Sequence, residues 1–150
     1  MILRPGVLAG VRVVAGGAVA ARMAELGADL SSGPPDVLVF EGAGVVPAVL
    51  DEAWDAIRAV LRDDLLIVLI APRPGDAHAE AARAGLENMA RTLSIEWARR
   101  GIRPVAITPG TATSPAEIAE LVAYLASPAG AYFSGCRFDL GRVRFPQCPG

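Results

Sequence analysis

RAGLENMARTLSIEWARRGIRPVAITPG, residues 83–110, runs a helical pattern straight into an apolar stretch that stops at Pro-Gly. Leu86, Met89, Ala90, Leu93 and Trp97 recur at the three- and four-residue spacing of one helix face, so this stripe is expected to meet a core. On the opposite side stand Ala84, Asn88, Arg91 and Ile95, with the small Ser94 and Ala98 on the flank. That second face is thinly polar and contains an apolar residue, which fits a helix packed on two sides. It also fits one tolerated exposed isoleucine.

Working outward, the same alternation repeats. Apolar, β-branched runs near 11–15, 36–40, 65–70, 102–107 and 136–140 read as strands, and helical patterns near 17–27, 50–62, 77–100 and 115–126 lie between them. Strand–helix alternation of this kind predicts a parallel sheet covered by helices, an α/β fold formed by residues 1–150 as one domain. The punctuation agrees: Gly27 closes the first helix, Ser-Ser-Gly-Pro-Pro at 31–35 is a loop, Asp76 caps the long helix, and Ser114-Pro115 with Glu117 opens the last one. The tail RVRFPQCPG reads as extended and irregular.

Fourteen basic residues against sixteen acidic ones, with no block of either sign, argue against nucleic-acid and anionic-membrane partners. All fourteen are arginine, so chemistry that needs a lysine amine is excluded. Charged residues, Gly or Pro interrupt every apolar stretch short of the ~18–20 residues of a membrane span. No cleavage site follows the apolar start, and Cys136 and Cys148 form no dithiol motif, so a cytoplasmic setting with reduced thiols is expected. With 53% apolar residues there is little polar surface to cover the domain, which favours a subunit interface.

Several segments, in order, resemble the short-chain dehydrogenase/reductase family. Residues 83–110 are similar to that family's long helix, following strand and Pro-Gly turn, and AEIAELVAYLASPAGAYFSGCRFDLG (116–141) is similar to its last helix and strand. PDVLVFEGAG (35–44) resembles the strand that ends in Asn-Asn-Ala-Gly, here altered to Phe40-Glu41-Gly42-Ala43-Gly44. LAGVRVVAGG (8–17) with AARMAELGADL (20–30) resembles the first strand and helix. The resemblance implies a reduced Rossmann-like, doubly wound parallel sheet of about five strands, in the family's terms 1-4-5-6-7, because the second and third strands have no counterpart between residues 30 and 36. Those two strands form one edge of the sheet, so the remainder stays contiguous.

The same resemblance implies a nicotinamide-dependent oxidoreductase whose Tyr and Lys fall here on Ala79 and Arg83. Alanine has no proton to give, and guanidinium does not release one. The carbonyl-polarising Ser falls on Ala71 or Pro72, and the helix Asn falls on Leu61 if Trp54 is the anchor. The glycine-rich phosphate turn is reduced to Gly16-Gly17, about five residues short of the motif's own spacing. With Pro109 and Gly110, these glycines are the remaining candidates for cofactor contact. The segment that covers substrate after the Pro-Gly turn is missing, since Ser114 leads at once into the last helix.

The association elements of the family are retained: the paired long helices that form a four-helix bundle between subunits, and the last helix and strand. The sequence therefore suggests a chain without catalytic residues or cofactor of its own, joined as a heterodimer or heterotetramer to an intact subunit that carries NAD(P). Ala84, Asn88, Arg91 and Ile95 are its expected contact face, and Phe138 on the last strand is a second one. Two alternatives remain open. One is replaced, non-redox chemistry centred on His78, which Glu80 follows closely, because a histidine can move protons near neutral pH. The other is a homodimer that binds an acyl or carrier-protein partner. Cys136, in the last strand, is expected to be a small core residue.

Overall fold

Leu66–Ile70 reads Leu-Ile-Val-Leu-Ile and is buried along its whole length, as befits a strand with helices on both faces. It is the central strand, β3, of the computed structural model, which describes residues 6–30 and 33–141. The sheet has the order β1-β2-β3-β4-β5, with β1 Val13–Val14, β2 Val37–Glu41, β4 Arg103–Thr108 and β5 Arg137–Asp139, and every pairing is parallel. The register sets Val39, Val68 and Val105 in one row across its middle. The predicted tail 142–150, with Cys148, and Ser31-Ser32 of the predicted loop lie outside the described residues.

Alternate residues of each strand feed two separate cores. Val37, Val39, Val68 and Val105 face α1 (Gly17–Glu25) and α4 (Pro115–Ala126), with Met23 and Val122 packed on them. Leu38, Ile67, Leu69 and Ala106 face α2 (Ala48–Val60) and α3 (Ala77–Glu96), against Ile57, Leu86 and Ala90. This is the α/β sandwich that the alternation predicted. Its helix ends follow the local signals: Gly27 takes a positive φ of 96° after α1, Asp76 accepts the Ala79 N–H at 2.9 Å, and Ser114 and Glu117 form a reciprocal capping box.

One more residue pairs outside β1. Asp29 pairs in parallel with Arg12 on the outer edge of β1, donating its N–H to the Val11 carbonyl and accepting the Val13 N–H, each at 2.9 Å. The chain thus steps outward after α1 before it returns to β2. At the other end, β5 extends the sheet in the direction already taken from β2 to β4, yet α4 lies on the face opposite α2 and α3. The crossover through α4 therefore has the opposite hand to those through α2 and α3, an uncommon arrangement for parallel strands.

Three local expectations are corrected. The long helix stops at Glu96, Trp97 leaves helical geometry, and a 3₁₀ turn Ala98–Arg100 closes on Gly101. Met89 and Trp97 are half-buried at the rim of the second core instead of inside it; Trp97 stacks on Trp54 with ring centres 6.1 Å apart. Cys136 lies just before β5 and is half-buried, because an edge strand is covered less than a central one.

Candidate functional site: the crevice beyond β3 and β4

Three prolines, at 72, 74 and 109, shape the loops that leave β3 and β4. Each removes a backbone donor while leaving a carbonyl acceptor. Into this acceptor-rich ground α3 sends Arg83, only 14% exposed, whose Nη1 donates to the carbonyls of Pro72 at 2.8 Å and Pro109 at 2.9 Å. Arg73 does the same from the β3 loop. Its Nη1 donates to Gly110 O at 2.7 Å and Thr111 O at 3.2 Å, and its Nη2 to Thr113 O at 2.6 Å. Two guanidinium groups thus tie the two loops together. Arg83 Nε also stands 3.7 Å from the Glu80 carboxylate.

Beside this clamp opens a cleft of about 370 Å³ whose wall includes Glu80, Arg83, Glu87, Thr108, Arg137 and Asp139. Its charges are largely tied up with one another. Glu87 bridges Arg91 of its own helix at 2.8 Å and Arg137 of β5 at 2.9 Å, which fixes the sheet edge to α3. The opposite shoulder of α3 carries a second groove, of about 350 Å³, between Leu50, Trp54, Gly85, Asn88, Met89 and Thr92. Ala84 borders the first groove and Asn88 the second, so the stripe Ala84, Asn88, Arg91 and Ile95 is a ridge between them. All four are exposed, Ile95 at 74%.

Gly16 and Gly17 do open a helix, α1, and Gly17 adopts the left-handed φ of 63°. What faces them is a carboxylate. A Cβ at Gly17 would lie 3.7 and 3.8 Å from the two Glu41 oxygens, so the end of β2 brings a negative group to the helix start, where a phosphate would need backbone donors. Burial pushes the Glu41 carboxyl above the usual carboxylate range.

Arg83, Pro72, Pro109 and Gly110 are therefore brought together, with Ala79 one turn before Arg83 on α3, whereas Gly16 and Gly17 do not line the cleft. His78 is exposed in the first turn of α3, and Phe138 is half-buried, edge-on to Phe133 at 5.4 Å. Ala71 is buried behind the β3 loop, and Leu61 caps α2. Sequence reasoning missed Arg73, Glu41 and the Glu87–Arg137 bridge. The signal available was compositional: fourteen arginines without one lysine, one of them between two prolines in Pro72-Arg73-Pro74.

No protein-family model matches the sequence. Solved structures do match. An oxidoreductase of the short-chain dehydrogenase/reductase family from Burkholderia thailandensis superposes with a TM-score of 0.61 at 22% identity, over 81% of this chain and 67% of its own. The citronellol catabolism dehydrogenase of Pseudomonas aeruginosa PAO1 gives 0.66 at 19%, over 93% and 97%. An NADPH-bound short chain oxidoreductase of the same organism, with an atypical catalytic center, gives 0.59 at 23%, over 75% and 67%. The chain spans about two thirds of the length of the first and third of these. Sheet order, helical layers and these overlaps agree: the chain has the short-chain dehydrogenase/reductase fold, in a reduced form that keeps the family's first strand and its fourth to seventh.

Proposed function

We propose that this chain is a non-catalytic subunit that joins an intact NAD(P)-dependent reductase of the same fold and carries no cofactor itself. The observation that supports this most is at the position of the family's lysine. There Arg83 is engaged with two loop carbonyls, and Ala79, in the place of the acid–base tyrosine, has no proton to transfer. The crevice holds carbonyl acceptors where a dinucleotide would need donors, and Glu41 adds negative charge at α1. The exposed ridge of α3 supplies the surface for association. Covering Ile95 completely would contribute about 1.5–3 kcal/mol.

Size-exclusion chromatography with light scattering tests this on the chain alone and on the chain co-expressed with an intact reductase of this fold encoded beside it. A heteromer is expected with the reductase, and Ile95→Glu should abolish it while circular dichroism stays unchanged. Assembly of Ile95→Glu like the parent would move the interface to the last strand, around Phe138. A dimer of the chain alone, split by Ile95→Glu, would favour the homodimeric binding protein; the half-exposed Trp54 across the groove from that ridge is what keeps this second reading open.

A further inference from the structure

We propose that the crevice beyond β3 and β4 is a guanidinium site, which the chain fills with its own Arg83 and Arg73. The acceptor set is specific to a flat donor cation. Five carbonyls, of Pro72, Pro109, Gly110, Thr111 and Thr113, converge from two loops at donor distances of 2.6–3.2 Å, with the Glu80 carboxylate 3.7 Å from Arg83 Nε beside them. Prolines at 72, 74 and 109 withhold three backbone N–H groups from these loops, so their backbone has more acceptors than donors to present. The acceptor set carries no formal charge of its own. One planar nitrogen of Arg83 bridges carbonyls that lie 11 and 26 residues away in sequence, and Arg73 forks across three more. A guanidinium meets this geometry with donors in a fixed plane, whereas an ammonium is a compact, strongly hydrated point charge.

The surroundings extend the preference. Along the cleft that leads to Arg83, the carboxylates of Glu80 and Glu87 are paired with Arg83, Arg91 and Arg137, so the backbone carbonyls are what distinguish its inner end. The consequence is a crevice of opposite polarity to a phosphate cradle: its backbone offers acceptors to a guanidinium where a phosphate would need donors. In the intact chain it is occupied from within, which holds the ends of β3 and β4 together without any added ligand.

Thermal unfolding of Arg83→Ala in added salts tests the site. Loss of the charged donor should lower Tm by about 5–10 °C, given the usual worth of hydrogen bonds to charged groups in a chain of this length. Millimolar guanidinium chloride should raise the Tm of the variant in proportion to the logarithm of its concentration, as for a ligand that binds only the folded state. Sodium chloride and methylammonium chloride at equal concentration should not, and the parent protein should respond to none of them. The proposal is overturned if Arg83→Ala unfolds with the parent, if methylammonium rescues as well as guanidinium, or if NADH stabilises the variant more than guanidinium does. Should Arg83→Ala yield no folded protein, Arg73→Ala carries the same comparison at its own three carbonyls, with the same outcomes deciding.

Discussion

Glu41 ends β2 with its carboxylate over Gly17, and burial there penalises the charged form, which raises its pKa. The sign of the linkage follows: a carboxyl whose folded pKa lies above its unfolded value favours folding while protonated, and that contribution is lost as pH rises through the folded value. Replacing Glu41 with Gln removes the penalty at neutral pH and changes nothing once both states are protonated. Glu41→Gln is therefore expected to melt above the parent at pH 7, with the gap closing as pH falls below the ordinary glutamate value of 4.5. A gap that persists at low pH would mean that shape or hydrogen bonding at Gly17, not charge, controls this position.

Among the elements, α3 has the clearest division of labour. Leu86 is fully buried between α2 and the sheet, while Ile95, about two and a half turns further on, is open to water. Leu86→Ala is expected to cost about 2–5 kcal/mol by leaving a cavity, with or without a partner chain, as read by chemical denaturation. Ile95→Glu should leave that denaturation curve where it is. A large loss for Ile95→Glu in the isolated chain would show the ridge to be part of the fold itself. The end of α4 rests on a different kind of constraint. Gly130 lies against the backbone of Tyr124 and Leu125, and a Cβ there would meet both carbonyl oxygens at 2.5 Å. Gly130→Ala must displace backbone, which also carries the Arg103 bond to the Gly130 carbonyl at 2.9 Å. It is expected to lower Tm more than any exposed Gly→Ala in the chain, such as Gly16→Ala, which meets open space.

At the scale of the whole molecule, the described sheet has five strands with one bridged residue, Asp29, outside β1. On the proposed function that sheet offers no adenosine side to a dinucleotide, and Arg83 and Arg73 occupy the loops beyond β3 and β4. Calorimetric titration of the chain with NADH or NADPH is accordingly expected to be flat. A dissociation constant below about 100 µM, or roughly 5.5 kcal/mol of binding, would overturn the cofactor-free part of the proposed function. Among the described residues no helix is long and apolar enough to cross a membrane. Glu87 links α3 to β5, and Arg22 of α1 reaches Glu120 of α4 at 3.8 Å. The faces proposed for association are thus backed by elements tied to each other.

By itself the sequence determined the elements and their ends. Periodicity, caps and turn residues act within three or four positions, so α3 from Asp76, the capping box at Ser114 and the all-buried β3 were legible before any fold was known. The resemblance also set an expectation for Ala79 and Arg83, because they hold a fixed spacing on one helix. Only the tertiary structure decided what Arg83 meets. Arg83 and Arg73 find carbonyls up to 40 residues away, Glu41 meets Gly17 from the neighbouring strand, and Asp29 pairs outside β1. These contacts depend on strand order, on register and on which face each crossover takes. No local pattern encodes them, since each joins loops or strand ends that are brought close by the sheet and not by the chain between them.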